Sequence, residues 1–253
     1  MVVRKVSVSV LSVEQSEGVG ARVRRSIGGR RLKSLDPFLL LDEFRVSKPT
    51  GFPDHPHRGF ETVTYLLSGV SAHEDFCGHY GKLEAGDLQW MTAGRGVVHA
   101  EMPMSDEPIH GLQLWVNLRK ADKMVEPQYQ ELKNQQIPKP SKDGVTVTII
   151  SGESLGVKSK VYTRTPTIYL DFRLKQGSKY VQPVPSGWTA FIYTLSGSVH
   201  TAQTHQGASV ISLQWQHCTH CLRSGISIAM FEVLRYRVGF NDFQLGSGCI
   251  YGH

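Results

Sequence analysis

The chain has 253 residues, 40% of them hydrophobic and 20% charged, a composition that excludes extended disorder and leaves room for one large domain or two small ones. Its formal charge of +6 favours acidic surfaces without demanding nucleic acid, and no run nears the ~18 uninterrupted apolar residues of a membrane helix. Arg4 and Lys5 interrupt any secretory apolar segment, and four cysteines at this length do not make a disulfide framework, so a reducing intracellular setting without membrane association is expected.

Along the chain the dominant signal has period two, which argues strands. Val6, Val8 and Val10 alternate with serines and predict a first strand. From Arg22 to Lys33 the chain carries Arg22, Arg24, Arg25, Arg30, Arg31 and Lys33 with no acid, which reads either as a charged strand edge and turn or as a surface for an acidic partner. Strands follow at Val63–Leu67 and Leu112–Val116, with turns at Gly28 and Gly29, Ser68 and Gly69, Gly86 and Asp87, and Gly94 and Gly96. Residues 120–142 are polar, contain Pro127, Pro138 and Pro140, and read as a linker. Beyond them, Val145–Ile150, Thr167–Leu174 and Thr189–Leu195 are further strands. The expected fold is all-β, a barrel or sandwich, in two units at residues 1–134 and 135–253.

An internal comparison supports the duplication. At an offset of 128 residues Gly59 falls on Gly187, Phe60 on Trp188, Tyr65 on Tyr193, Leu67 on Leu195, Ser68 on Ser196 and Gly69 on Gly197. The same offset sets His55 on Pro183, His57 on Pro185, His99 on Ser227 and Glu101 on Ala229, so only the first half keeps those polar side chains.

Those four residues carry the chemistry. His55 and His57 stand at i and i+2 in extended chain, which points both imidazoles to one face, and His99 and Glu101 repeat the spacing after the turn from Ala93 to Gly96. On neighbouring inward-facing strands they would present three imidazole nitrogens and one carboxylate, a set suited to Fe(II), Ni(II), Mn(II) or Cu(II) rather than to a closed structural zinc. Glu61, four residues after His57, is a competing ligand if the strand keeps its parity.

The run His55, Pro56, His57, Arg58, Gly59, Phe60, Glu61, Thr62, Val63 resembles the pirin branch of the cupin superfamily, and so does the stretch from Gly86 to Gly96 followed by His99, Ala100 and Glu101. The stretches Asp36–Leu39 and Gly111–Trp115 extend the resemblance, which runs from about Val6 to about Val199. It implies a bicupin of two β-barrel (jelly-roll) domains with one iron per chain, Fe2+ or Fe3+, held in the first barrel by His55, His57, His99 and Glu101, with Glu61 outside the ligand set and no metal in the second barrel. It also implies two roles. One is a monomeric, redox-sensitive transcriptional co-regulator of nucleus and cytoplasm that contacts transcription factors of the nuclear factor kappa B type, with the basic stretch as its contact surface and no direct contact with DNA. The other, expected as a latent activity, is a quercetin 2,3-dioxygenase cleaving flavonols with O2, in which Glu101 serves as catalytic base for the 3-hydroxyl.

After about Val199 the resemblance stops. The remaining segment holds Cys218, Cys221 and Cys249, five of the eleven histidines and no lysine. That change points to an alternative splice product or shifted frame and to an incomplete second barrel. The cluster His217, Cys218, His220, Cys221 is a weak zinc signal without a second ligand pair, and Ile226–Met230 and Phe231–Leu234 would promote aggregation if unpaired.

Overall fold

The computed structural model describes residues 6–201, 210–216 and 226–234, with side chains as far as residue 197. Among the described residues it is all-β with every strand pair antiparallel, and the chain divides into two compact units, the first of residues 10–137 and the second of the chain from Pro138 onward together with the N-terminal residues up to Ser9. Among the described residues no helix is long and apolar enough to cross a membrane.

The first unit contains eleven strands: β1 (Val13–Glu17), β2 (Ala21–Ile27), β3 (Phe38–Val46), β4 (Phe52–His57), β5 (Phe60–Ser68), β6 (Val70–Asp75), β7 (Tyr80–Glu84), β8 (Leu88–Thr92), β9 (Val97–Pro103), β10 (Ile109–Asn117) and β11 (Gln128–Leu132). They form a seven-stranded sheet, β1-β2-β3-β10-β5-β8-β11, and a four-stranded sheet, β4-β9-β6-β7. The large sheet's central strands are buried on both faces, which is why β5 and β8 read as continuous rather than alternating apolar runs. Its outer face carries Leu41, Val63, Trp90, Leu112 and Leu114, all fully buried. Near one end of the inner face, Ala21, Val23, Phe44, Val46, Leu66, Leu83 and Ile109 form an apolar cluster.

The second unit contains β12 (Ser141–Lys142), β13 (Val145–Ser151), β14 (Glu153–Ser154), β15 (Val157–Lys158), β16 (Thr167–Leu174), β17 (Lys179–Pro183), β18 (Trp188–Thr194), β19 (Ser198–Thr201), β20 (Val210–Gln216) and β21 (Ile226–Leu234). Its sheets run β12-β13-β16-β21-β18 and β17-β20-β19, with a small β14-β15 hairpin. Val145, Val147, Ile149, Leu170, Phe172 and Leu174 fill its core.

Three expectations are corrected. Val6 and Val8 belong to no strand: they are 55% and 49% exposed, and the first strand begins at Val13, because alternation without a partner strand to pair with does not make a ladder. The presumed linker contributes β11, an edge strand of the large sheet; its inward residues, Tyr129 and Glu131, are polar or part-polar and leave no hydrophobic alternation to read. The third correction concerns the repeat. β21 lies between β16 and β18 as β10 lies between β3 and β5, and β20 lies between β17 and β19 as β9 lies between β4 and β6. The counterpart of the His99 strand is therefore β20, not the Ser227 and Ala229 region, and Pro183 pairs with Val210 where His55 pairs with His99. No metal-ligating side chain stands at either position. Up to Gly197 the repeat holds locally: Gly59 and Gly187 both have positive φ, as do Gly69 and Gly197, so the matched glycines open and close equivalent strands.

Among the described residues the second unit's large sheet ends at β18, with no equivalent of β8. The runs Ile226–Met230 and Phe231–Leu234 are one strand, paired on both sides. The cluster at 217–221 and Cys249 lie outside the described residues.

Candidate metal centre

β4 and β9 are antiparallel neighbours in which His55 lies directly opposite His99. A bulge between Phe52 and His55 sets Glu101 opposite Phe52, while on its other side Glu101 is opposite His73 of β6. His55, His57, His99 and Glu101 therefore converge, as the paired i, i+2 spacings predict. The Nε2 atoms of His57 and His99 are 3.0 Å apart and those of His99 and His55 are 3.1 Å apart. Glu101 Oε2 stands 3.9 Å from His99 Nε2 and 4.0 Å from His55 Nε2. His57, His99 and Glu101 are buried, and His55 is the most open of the four.

Burial pushes His57 down to about 3, with the nearby His99 and His55 adding to the effect. Burial also lowers His99, against the pull of Glu101, so both rings are neutral at physiological pH. Neutral imidazoles whose Nε2 atoms meet head-on oppose lone pair to lone pair unless a proton or a cation lies between them. Two nitrogens bound to one metal at about 2.1 Å and a right angle would stand about 3.0 Å apart, against about 3.4 Å in a tetrahedron. The observed 3.0–3.1 Å separations fall near this range, so the three nitrogens can share one ion.

Glu61 is excluded from this cluster. Gly59, with φ +78° and its amide bonded to the Gly94 carbonyl, turns the chain between β4 and β5 and resets the strand parity. Glu61 thus falls on the outer face, fully buried, where it accepts a hydrogen bond from Thr92 Oγ1 at 2.7 Å.

Other residues in and around this site carry no motif. Asp42, Gln113, Thr64, Gln89 and Glu131 form one cross-strand row over β3, β10, β5, β8 and β11. They face a second row, Glu101, His73 and Gly81, on the smaller sheet. The rows touch: Thr64 Oγ1 lies 3.2 Å from Glu101 Oε1, and Gln113 Nε2 donates to Glu101 Oε2 at 3.4 Å. Phe60 and Trp115 stack at 4.7 Å beside His57. His55, His57, Glu101, Phe60 and Trp115 line a cavity of about 730 Å³ whose wall also includes Arg25, Gly28 and Lys33.

The basic stretch is largely answered from within. Arg22 and Arg24 pair with Glu14, and Arg25 binds both Asp42 and Glu17 at 2.7 Å. Among the described residues Arg30, Arg31 and Lys33, in the turn after β2, make no ion pair.

The family model for pirin matches residues 20–116, the segment that supplies all four converging side chains. The pirins of Rattus norvegicus and Homo sapiens are each 75% identical over 198 residues, covering 78% of this chain and 68% of theirs. The chain belongs to the pirin family. Among solved structures, a quercetin 2,3-dioxygenase of Acinetobacter baumannii aligns with this pirin at a TM-score of 0.77 and 29% identity, over 90% of this chain and 86% of that one. A nickel(II) complex of the bacterial pirin YhhW from Escherichia coli aligns at a TM-score of 0.62 and 19% identity, over 88% and 95%, and shares the fold. The architecture is a bicupin, with its cupin histidine and glutamate cluster in the first unit.

Proposed function

We propose that this pirin acts as a quercetin 2,3-dioxygenase, opening flavonols with O2 at one iron in the first unit. The observation that carries the reading is the cavity: its 730 Å³ admits a three-ring flavonol, with the His55 and His57 imidazoles and the Glu101 carboxylate on its wall, His99 directly behind them, and the Phe60–Trp115 stack beside them. Iron held by His55, His57, His99 and Glu101 would supply Lewis-acid and redox chemistry toward substrate and O2. The aromatic stack offers flat apolar contact to the flavonol rings. Glu101 is the base that takes the proton of the 3-hydroxyl, and Thr64 and Gln113 hold its two oxygens in place for that transfer. Lys33, without an ion pair on the cavity wall, meets the phenolate charge. The name of the Acinetobacter baumannii relative agrees with this chemistry. The test is quercetin consumption coupled to O2 uptake by the iron-loaded chain, lost in His99→Ala. No turnover at full iron occupancy would refute it.

One observation favours a second reading. His55, His57 and Glu101 share a cavity wall with the basic segment, through Arg25, Gly28 and Lys33. Oxidation from Fe2+ to Fe3+ adds a positive charge behind that segment and biases its conformation. In this reading the protein is a redox-sensitive co-regulator of nucleus and cytoplasm, whose Arg30, Arg31 and Lys33 meet an acidic face of a transcription factor of the nuclear factor kappa B type. Binding to such a domain is expected to differ between the two oxidation states and to weaken in Arg30→Ala/Arg31→Ala. Equal affinity in both states sinks the switch, whatever the dioxygenase assay returns.

A further inference from the structure

Beyond the four converging ligands, the polar rows end in a second group of donors at the open side of the first unit. His73 projects inward from β6, His79 closes the turn after it, and Glu131 comes from β11 in the opposite sheet. Glu131 Oε1 lies 2.7 Å from His73 Nε2 and 3.3 Å from His79 Nε2. The turn is clamped: Asp75 Oδ1 accepts the amides of Cys77 and His79, both at 2.9 Å, and Oδ2 accepts the Tyr129 hydroxyl at 2.9 Å. Tyr129 stacks on His79 at 4.1 Å, and the two imidazole planes lie within 27° of each other, both turning Nε2 toward the same carboxylate.

Two details mark this as more than a histidine–glutamate ion pair. The Gln89 side-chain nitrogen sits 2.7 Å from His73 Nε2 and 3.0 Å from Glu131 Oε1, while its oxygen is buried with no partner among the described residues. If His73 Nε2 donates to Glu131 it cannot also accept from Gln89, so one of two close contacts is always mismatched. Rotating the amide by half a turn exchanges its two ends and brings the oxygen into the group, where a cation serves two oxygens and two imidazole nitrogens at once, more than the single Nε2 proton of either ring can do. Gly81, opposite His73 on β7, leaves the required space: a Cβ there would collide with the His73 ring and approach Glu131 Oε1.

We propose that His73, His79 and Glu131, with the carboxamide oxygen of Gln89, form a second site for a borderline divalent cation such as Zn2+ or Co2+. Two imidazoles and two oxygens match the donor preference of these ions rather than that of Ca2+ or Mg2+. Tetrahedral ligands at about 2.0–2.1 Å stand about 3.3–3.4 Å apart, a small expansion of the present 2.7–3.3 Å cluster. His79 is 37% exposed, which gives the ion a route from solvent. The site stands back to back with the first one, since His73 and Glu101 are direct cross-strand partners.

The test is titration of the full-length, metal-stripped chain with Zn2+, read by elemental analysis after dialysis, and with Co2+, read by its visible spectrum. Two equivalents are expected, one giving the intense bands of four-coordinate Co2+. His79→Ala and Glu131→Gln should each remove that equivalent and its bands, weakening its binding at least about 100-fold, while His57→Ala removes the other. His79 is at the surface, so an unchanged melting temperature of the stripped His79→Ala variant separates lost binding from lost folding. Saturation at one equivalent overturns the proposal. So does a second equivalent that survives both His79→Ala and Glu131→Gln, as capture by His217, Cys218, His220 and Cys221 would produce. The two equivalents are counted separately, so failure of this site leaves the first reading intact, and the reverse.

Discussion

His55 and His99 are direct partners across β4 and β9, and their Nε2 atoms stand 3.1 Å apart. A single proton makes that contact a hydrogen bond, but His99 Nε2 also meets His57 Nε2 at 3.0 Å and cannot pair properly with both, a mismatch that a bound cation resolves. Metal binding should accordingly stabilise the fold as well as enable chemistry, because an ion that binds only the native arrangement adds its binding free energy to folding. Removing the metal with a chelator is expected to lower the melting temperature by several degrees, and His57→Ala to abolish that site's share of the difference along with about one equivalent of metal. Identical melting curves with and without chelator in wild type would contradict this.

The pH dependence of the metal-free chain follows from His57. Its folded value, about 3, lies below its ordinary 6.5, so the unfolded chain binds the proton more readily than the folded one. The folded state's advantage is complete above pH 6.5 and is lost progressively as the pH falls from there toward 3. Urea unfolding in the presence of a chelator should therefore show stability declining from pH 7 to pH 5, with a shallower decline in His57→Gln. A flat profile in wild type over that window counts against the burial argument.

Glu61 and Glu101 were both legible as ligands, and the structure separates them by parity. Gly59 turns the chain so that Glu61 leaves the inner face and bonds Thr92, while Glu101 stays with the histidines. Glu61→Gln should retain full metal occupancy and Glu101→Gln should lose affinity by at least about 10-fold, as judged by elemental analysis after dialysis. Equal losses in the two variants would place the site elsewhere.

The i, i+2 histidine and glutamate pairs were readable because extended chain alternates faces and each pair lies within one strand. What could not be read is the polar scaffold behind them. Asp42, Gln113, Thr64, Gln89 and Glu131 come from five strands and align only through register, so each in isolation looks like an ordinary strand residue. β11 was hidden for a related reason: a strand whose inward side chains are Tyr129 and Glu131 bonded to Asp75 and His73 shows no hydrophobic period. The gapless repeat failed past Gly197 because, among the described residues, β20 follows β19 without counterparts of the β7 and β8 that separate β6 from β9. Sequence offset then pairs the wrong strands even though the topology repeats.

Thr64 gives the sharpest test of that scaffold. Its hydroxyl lies 3.2 Å from Glu101 Oε1 and 3.0 Å from Gln113 Oε1, and its single proton can serve only one of them at a time. Thr64→Val keeps the volume and the β-branched shape that suit β5 but removes the donor, leaving Glu101 held by Gln113 alone. Without the hydroxyl the carboxylate is less fixed. Metal affinity should fall by about 10–100-fold, with Thr64→Ser restoring it. If Thr64→Val and wild type bind metal equally, Glu101 is positioned by backbone alone and the polar row has no part in the site.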